Sequence, residues 1–409
     1  MTTILPSLSQ FKPNPNWAKL PLFNRKNWPR VRFDDVVENL NETCDPAEAG
    51  LDRVIAMEHL EPGSLHIRAW GNVADGTTFT RRCRPGQLLF GKRRAYQRKV
   101  AVAEFDAVVS GDIYVLAPKG DRLLPELLPF LCLSERFFQH AVGTSAGSLS
   151  PRTNWSSLAS FEFDLPPLDQ QRRVAEILWA MDEADEKAIQ LGLSANAAYE
   201  SALEDFFFDK KTSDGPCFKQ KWQTTQLQNI ALPDAPIRYG IVQVLKDCDD
   251  GIPTVAIKDL NGDFGESLHK TSPEIEARYA NSRIKPGDLL LSIKASVGDV
   301  GIVPDHFEGN ISRDLARIRC GPQMPAQLLL HLFRSHRYQA YVSKHVVGST
   351  RKEISIHLLR RFEVPLPPAK EASSFLENIA KIQSLQRSVE TQVRNLASLR
   401  TKLINTILQ

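Results

Sequence analysis

The sequence predicts an α+β protein in which two similar α/β domains are separated by two long antiparallel helices that form a coiled coil, with pseudo-two-fold symmetry. The chain of 409 residues repeats itself at an offset of 201, since Phe161–Pro167 (FEFDLPP) returns as Phe362–Pro368 (FEVPLPP). Arg84–Leu89 (RPGQLL) returns at the same offset as Lys285–Leu290 (KPGDLL). Each Pro-Pro motif also opens a segment of about forty residues with a helical pattern. A duplication of half the chain predicts two equivalent halves, because solenoid repeats are much shorter.

Short apolar runs predict strands in each half. In the first half these runs are Val100–Val102 and Ile113–Leu116, and in the second half they are Leu289–Leu291 and Val300–Val303. A helical pattern lies over Leu123–His140. Strand and helix signals of this length and mixture predict an α+β domain ahead of each long helix. We call these two domains the first and second heads.

The long helices carry a seam of apolar residues at heptad spacing. In the second helix the seam is Phe375, Ile382, Val389, Leu396 and Leu403. Subtracting 201 gives Val174, Met181, Ala188, Ala195 and Ala202 in the first helix. A heptad pattern of this length predicts a coiled coil, and connectivity predicts an antiparallel one, because the first helix must end where the second head begins. Packing of each helix on its own head alone is the alternative.

The predicted domain boundaries follow from these signals. The segments are an N-terminal extension (1–27), the first head (28–165), the first long helix (166–209), a charged Gly/Pro-containing linker (210–221), the second head (222–366) and the second long helix (367–409).

Composition and motifs argue against an enzyme. The six cysteines form no Cys-x-x-Cys pair, which argues against structural zinc and against a disulfide framework. Gly86–Arg93 approaches a phosphate-binding loop, but Arg93 replaces the Ser or Thr that would hold magnesium. We therefore predict no catalytic residues, no metal and no cofactor bound by this chain. No apolar run reaches the roughly 20 residues of a membrane span, and a cytoplasmic location is expected.

Basic residues, by contrast, are clustered, although the net charge is only +3. Arg and Lys contact phosphates, and Arg and Gln also read base edges in the major groove. The first cluster lies in the acid-free stretch from Arg81 to Lys99 and the second in the acid-free stretch from Leu315 to Lys352, so the two lie at different places in the repeat. The DNA-binding candidates of the first head are Arg81, Arg82, Lys92, Arg93, Arg94, Tyr96, Gln97, Arg98, Lys99, Arg152 and Asn154. Those of the second head are Ser292, Lys294, Arg313, Lys344, Arg351 and Lys352. A solvated surface, or pairing with acids elsewhere in the chain, is the alternative for either cluster.

The two copies share their framework positions but differ in these candidate reading residues. Gly91–Arg94 (GKRR), for example, corresponds to Ser292–Ala295 (SIKA). If the heads bind DNA, they should read different sequences. An asymmetric target in two parts would suit such a protein.

The chain resembles the specificity subunit of type I restriction-modification systems. The likeness is carried by Leu165–Arg173 (LPPLDQQRR), by Leu366–Pro368 (LPP) and by the Pro-Gly-x-Leu-Leu element of each head. The resemblance implies that each head is a target recognition domain for double-stranded DNA. It also implies that the helices are spacers recruiting two modification (methyltransferase) subunits, which would carry S-adenosylmethionine, and that restriction (motor and nuclease) subunits join them. The helix-start residues that would contact these partners are Gln170, Gln171, Arg172 and Glu371.

Two other classes of protein fit the same sequence. One is a stand-alone DNA-binding architectural or regulatory protein with two heads. The other is a coiled-coil adaptor whose basic faces meet acidic proteins. Binding to duplex DNA separates the adaptor from the rest, and co-purification with a methyltransferase separates the specificity subunit from the stand-alone protein.

Overall fold

The computed structural model describes residues 27–209, 216–242, 247–260, 262, 264–265, 267–348 and 352–408. The chain divides into two compact units. Unit 1 comprises Met1–Gln190 and Glu390–Gln409, and unit 2 comprises Leu191–Val389. Most of the predicted extension (1–27) and about half of the predicted linker (210–221) lie outside the described residues.

The described part of unit 1 contains ten short strands and four short α-helices ahead of the first long helix. The strands are β1 (Arg30–Arg32), β2 (Val37–Leu40), β3 (Arg53–Ile55), β4 (Gly71–Asn72), β5 (Arg81–Cys83), β6 (Leu88–Gly91), β7 (Val100–Val102), β8 (Ala107–Val109), β9 (Ile113–Pro118) and β10 (Glu162–Asp164). The helices are α1 (Phe33–Val36), α2 (Leu128–Leu133), α3 (Glu135–Gly143), α4 (Trp155–Ala159) and the long α5 (Leu168–Phe207). The runs at Val100–Val102 and Ile113–Leu116 are strands, as predicted.

The strands of unit 1 form two four-stranded sheets and one ribbon. The sheet orders are β2-β9-β6-β7 and β4-β3-β8-β5, and β1 pairs with β10. All pairs are antiparallel except β3 with β8. The first sheet buries one side against α2 and α3, where Phe90, Phe130 and Phe137 are fully buried.

Unit 2 follows a similar order of elements, except that residues 282–284, which correspond to β5, form only an isolated bridge at Ile284. Its strands are β11 (Gln223–Gln226), β12 (Arg238–Tyr239), β13 (Ile252–Val255), β14 (His269–Thr271), β15 (Leu289–Ser292), β16 (Val300–Ile302), β17 (Asn310–Ile311), β18 (Leu315–Ile318) and β19 (Glu363–Leu366). Its helices are α6 (Leu227–Ile230), α7 (Pro273–Glu276), α8 (Ala326–Arg334), α9 (His336–Ser343), α10 (Ile356–Arg360) and the long α11 (Ala369–Ile407). The sheets are β12-β18-β15-β16, β14-β13-β17 and the ribbon β11-β19.

The helical segment predicted over Leu123–His140 is two helices, α2 and α3. Ser134 separates them in an extended conformation, and its hydroxyl accepts a hydrogen bond from the backbone N–H of Phe137. Ser335 separates α8 from α9 in the same extended conformation, with φ −66° and ψ 138°, but its side chain makes no capping hydrogen bond. A serine that caps the second helix ends the first, because it supplies an acceptor that the helix interior does not.

The two long helices pair in each unit. In unit 1, Val174 and Leu178 of α5 share a buried core with Ile404 and Ile407 of α11. Further along α5, Asp182 accepts a hydrogen bond from Arg400, which lies earlier in α11. The pairing is therefore antiparallel in unit 1.

Unit 2 shows the same antiparallel direction. Asn196 of α5 accepts a hydrogen bond from Gln386 of α11, and Phe206 stacks on Phe375 with ring centroids 4.0 Å apart. The predicted seam residues are buried or half-buried throughout both helices. The predicted fold class, two similar mixed α/β domains with two long antiparallel helices, is confirmed.

Candidate nucleic-acid interface

Three loops meet at one end of the first head. They are residues 92–99 between β6 and β7, residues 110–112 between β8 and β9, and residues 144–154 between α3 and α4. Arg94 donates its backbone N–H to Pro151 (2.7 Å), and Thr153 donates its own to Lys92 (3.0 Å). Lys92 in turn donates its backbone N–H to Asp112 (2.9 Å). Backbone hydrogen bonds thus hold the three loops together as one surface.

This three-loop surface is strongly basic. Its six cations are Lys92, Arg93, Arg94, Arg98, Lys99 and Arg152, and Asp112 is its single acid. Asp112 accepts hydrogen bonds from Arg152 (2.7 Å) and Arg93 (3.4 Å). Although burial opposes the shift, these two guanidinium groups lower the pKa of Asp112. The Asp112 carboxylate in turn raises the pKa of Arg152. Arg152 and Arg93 remain 53% and 41% exposed, so both can reach a ligand from the same end of the head.

The loop at residues 92–99 has an unusual backbone. Arg94 and Arg98 both have φ of +54° and flank a single 3₁₀ turn over Ala95–Gln97. Non-glycine residues in this left-handed region are strained, and such strain is common at binding sites. The turn exposes Tyr96 by 55%, and it leaves Gln97 half-buried.

The third loop adds a residue that no sequence signal singled out. Ala146 and Arg152 exchange two backbone hydrogen bonds of 3.0 Å, which closes a tight hairpin over residues 147–151. Leu149 at its tip is 90% exposed. An apolar side chain so exposed beside arginines suits contact with base edges or a thymine methyl group.

The second head builds the same three-loop surface from equivalent residues. Ala295 donates its backbone N–H to Lys352 (3.0 Å), and Ile293 donates its own to Asp314 (2.9 Å). Lys294 and Glu353 form the bridge that Arg93 and Arg152 form in the first head. The loops around Arg93 and Lys294 therefore coincide in the fold, although the two basic clusters lie at different places in the repeated sequence.

Charge differs between the two surfaces. In the second head, Lys294 lies 3.7 Å from Glu353 and Arg313 lies 3.6 Å from Asp314, so acids offset two of its cations. Lys344 and Lys352 are exposed, and Arg351 lies outside the described residues. Tyr239 and Val347 are 49% and 62% exposed. Tyr239 ends the short strand before Ile241, whose backbone carbonyl accepts from Arg313 (2.9 Å).

Several candidate residues lie away from the three-loop surface or have their polar groups engaged. Arg81 donates to the carbonyl of Ile113 (2.8 Å), Arg82 pairs with Asp106 (3.0 Å), and Lys99 donates to the carbonyl of Met57 (2.6 Å). Ser292 is fully buried and donates to the carbonyl of Lys294 (2.8 Å). A buried hydroxyl cannot reach a base, so Ser292 is not a DNA-contact residue.

Two further candidates have a local structural role or an internal partner. The side chain of Asn154 caps α4 by accepting the backbone N–H of Ser157 (2.8 Å). Arg98 pairs with Glu135 (2.5 Å) and lies 5.3 Å from the ring of Phe138. Both side chains are nevertheless exposed.

The predicted partner-binding residues at the helix starts differ in their burial and hydrogen bonding. Gln171 is fully buried, where it accepts the backbone N–H of Leu124 (2.8 Å) and donates to the carbonyls of Arg122 and Pro166 (2.8 Å each). It therefore holds α5 to its own head and is not available to a partner. Gln170 is half-buried and accepts from the indole of Trp28 (3.1 Å), whereas Arg172 is exposed. Glu371 accepts from Lys221 (2.7 Å).

The described residues contain no group of three or more His, Cys, Asp or Glu side chains arranged to hold a metal ion. Among the same residues, no helix has the length and apolar character needed to cross a membrane.

The fold defines a duplicated protein with two heads and two long paired helices, and known proteins share it. A chain from a structure of the complex assembly and conformational transition of the type I R-M system aligns over 93% of this chain and 97% of its own, with a TM-score of 0.58 and 18% identity. The type I restriction-modification S subunit from M. genitalium aligns over 96% of this chain and 98% of its own, with a TM-score of 0.59 and 12% identity.

Sequence comparison gives the family. The model of the type I restriction modification DNA specificity domain matches residues 72–193 and 227–395, which is more than half of the chain. The chain therefore belongs to this family. It is also 26% identical over 306 residues to the type I restriction enzyme EcoBI specificity subunit of Escherichia coli, an alignment covering 67% of this chain and 64% of that subunit.

Proposed function

We propose that this protein is the non-catalytic DNA specificity subunit of a type I restriction-modification complex in the cytoplasm. Each head would read one half of a bipartite, asymmetric DNA target. The long helices would recruit two methyltransferase subunits that carry S-adenosylmethionine, and restriction subunits would join the same complex. The observation that carries this proposal is the three-loop surface, which recurs at the same place in both heads with different side chains.

The charges of the three-loop surface suit a nucleic-acid ligand. The three loops of the first head contain six cations and one acid, and guanidinium groups recognise both phosphates and guanine edges. Arg93, Arg94, Arg98 and Arg152, with Tyr96, Gln97 and Leu149 between them, are our candidates there. In the second head the candidates are Lys294, Arg313, Lys344, Arg351 and Lys352, with Tyr239. Because these sets differ, the two half-sites should differ too.

Fluorescence anisotropy with duplex DNA tests the first surface. Arg93→Ala and Arg98→Ala should each weaken binding. If a phosphate contact is lost, the slope of log K against the logarithm of the salt concentration should become less steep by about one. Arg30→Ala is the matched control, because Arg30 is a similarly exposed, acid-paired arginine on the β1-β10 ribbon. If both variants bind like the control, the first surface is not the DNA site.

Methylation mapping tests the whole proposal. Cells that express this chain with its methyltransferase partner should carry methylated adenines in one split, asymmetric motif. Replacing residues 28–165 with the head of another family member should change one half of the motif only. A protein that binds duplex DNA but never co-purifies with a methyltransferase would instead be a stand-alone DNA-binding protein, and one that binds no duplex would be an adaptor.

A further inference from the structure

Unit 1 contains a cluster of charged side chains where the first head meets both long helices. His66 of the head lies 2.8 Å from Asp182 of α5 through Nε2. Arg400 of α11 donates to the same carboxylate (2.6 Å) and also to the backbone carbonyl of Gly63 in the head (2.9 Å). We call His66, Asp182, Asp185 and Arg400 the docking cluster. Its hydrogen bonds join three separate segments of the chain at one carboxylate.

The docking cluster is buried, which makes each charge dependent on the others. The side chains of Asp182, Asp185 and Arg400 are only 2%, 8% and 12% exposed. A buried charge whose partner is removed is strongly destabilising, whereas an exposed pair contributes little. Arg400 is also 3.4 Å from Asp185, so one guanidinium group pairs with two acids of α5.

Further contacts surround the docking cluster and favour the same arrangement. The other ring nitrogen of His66 lies 2.8 Å from Glu104. Arg68 pairs with Glu186 of α5 and with Glu61 of its own loop (2.6 Å). Because both nitrogens of His66 face carboxylates, the ring donates on both sides and carries a positive charge. The head segment from Glu61 to Arg68 is thus fixed to the helices by charge.

Unit 2 lacks this charge at the equivalent positions. Applying the offset of 201, Asp182 corresponds to Gln383, Arg400 to Tyr199 and His66 to Ser267. Tyr199 instead makes a 2.8 Å hydrogen bond with His331, which lies in α8. Burial lowers the pKa of His331 to about 4, so this contact is neutral near pH 7. In unit 2, an uncharged hydrogen bond between Tyr199 and His331 thus takes the place of the ion pair that Arg400 forms in unit 1.

We propose that the docking cluster positions the first head on the two long helices, and thereby fixes where the first half-site lies relative to them. This inference rests on the proposed function. His66, Asp182 and Arg400 are positioning residues, since they lie on the helix side of the head and not on the three-loop surface. Their loss should leave the reading of the first half-site intact and loosen its spacing.

The test is methylation mapping of the complete complex with Asp182→Asn, which keeps the shape of the side chain, and with His66→Gln. Each variant should keep both half-sites of the wild-type motif and also methylate targets whose spacer is one base pair longer or shorter. Glu183→Gln is the matched control, because Glu183 is on the same helix but pairs with the largely exposed Lys187. That variant should retain a single spacer length.

The outcomes separate the two proposals. A single unchanged spacer length with both Asp182→Asn and His66→Gln overturns the docking role, while the proposed function stands. If a variant methylates nothing, anisotropy with a duplex carrying the first half-site alone decides: retained binding supports the docking role, and lost binding overturns it. Absence of methylation with the wild-type chain means that the proposed function itself fails.

Discussion

The charge on His66 makes the stability of unit 1 depend on pH in a range where few groups titrate. Hydrogen bonds to Asp182 and Glu104 raise the pKa of His66 from 6.5 to about 10. In the unfolded chain the histidine releases its proton near pH 6.5, whereas the folded protein keeps it. The stabilisation is thus fully present below about pH 6.5 and is lost as the pH rises towards 10.

The magnitude follows from the difference in bound protons. Between about pH 7 and pH 9 the folded state holds roughly one more proton than the unfolded state, so unfolding free energy falls by about 1.4 kcal/mol per pH unit. The full shift corresponds to an upper limit of about 5 kcal/mol. The other side chains around the ring are Glu104, Asp182, Asp185, Glu186, Arg68 and Arg400. Carboxyl and guanidinium groups ordinarily titrate outside this range.

Urea unfolding of wild type and His66→Gln at several pH values measures this effect. Subtracting the two free energies of unfolding at each pH removes the contribution of all groups that the proteins share. The difference should shrink by about 2 to 3 kcal/mol from pH 7 to pH 9. A difference that stays constant within about 0.5 kcal/mol would show that His66 is not held in its charged form, and the reasoning would be refuted.

Three further predictions concern packing. Gly240→Ala places a Cβ 1.8 Å from the carbonyl oxygen of Ile311. We therefore expect the free energy of unfolding, measured with urea, to fall by about 2–4 kcal/mol, and binding of the second half-site alone to weaken. Unchanged stability would contradict the close approach. Phe375→Ala removes the ring that stacks on Phe206 at 4.0 Å and should lower the free energy of unfolding by about 3–5 kcal/mol. The control is Leu385→Ala, which should change the free energy of unfolding little because Leu385 is 42% exposed. Gln171→Leu leaves one backbone N–H and two carbonyls without their buried partner and should lower the free energy of unfolding by about 2–4 kcal/mol. Ala372→Ser, at the equivalent position of unit 2, is the comparison. Equal stability of Gln171→Leu and wild type would contradict a structural role for Gln171.

The duplication predicted most of the fold because both copies keep the same local signals. The Pro-Pro motif precedes α5 and α11 alike, and the apolar runs at Val100 and Leu289 are strands in their sheets. The break between α2 and α3 was missed, because Ser134 acts as a cap only when the chain turns at that point. Propensity alone does not fix such a boundary.

The candidate site was less predictable, because charge along the sequence does not reveal the partners of each side chain. Arg82 and Arg84 lie in an acid-free stretch, yet Asp106 and Glu42 pair with them from other loops. Arg319 of the second cluster is likewise paired with the buried Asp288 (2.7 Å). Long-range pairs of this kind follow from topology. The docking cluster was invisible for the same reason, since its members come from three distant segments.

Unit 1 is built from two distant segments of the chain, residues 1–190 and 390–409, and this affects how it folds during synthesis. Its core includes Ile404, Ile407 and Leu408, which are at most 4% exposed and pack with Val174, Leu178 and Trp179. Unit 2 is one continuous segment, Leu191–Val389. A ribosome synthesises all of unit 2 before residues 390–408, so the apolar face of α5 that Ile404, Ile407 and Leu408 cover stays exposed until those residues emerge. Transiently exposed apolar surface of this kind favours chaperone binding.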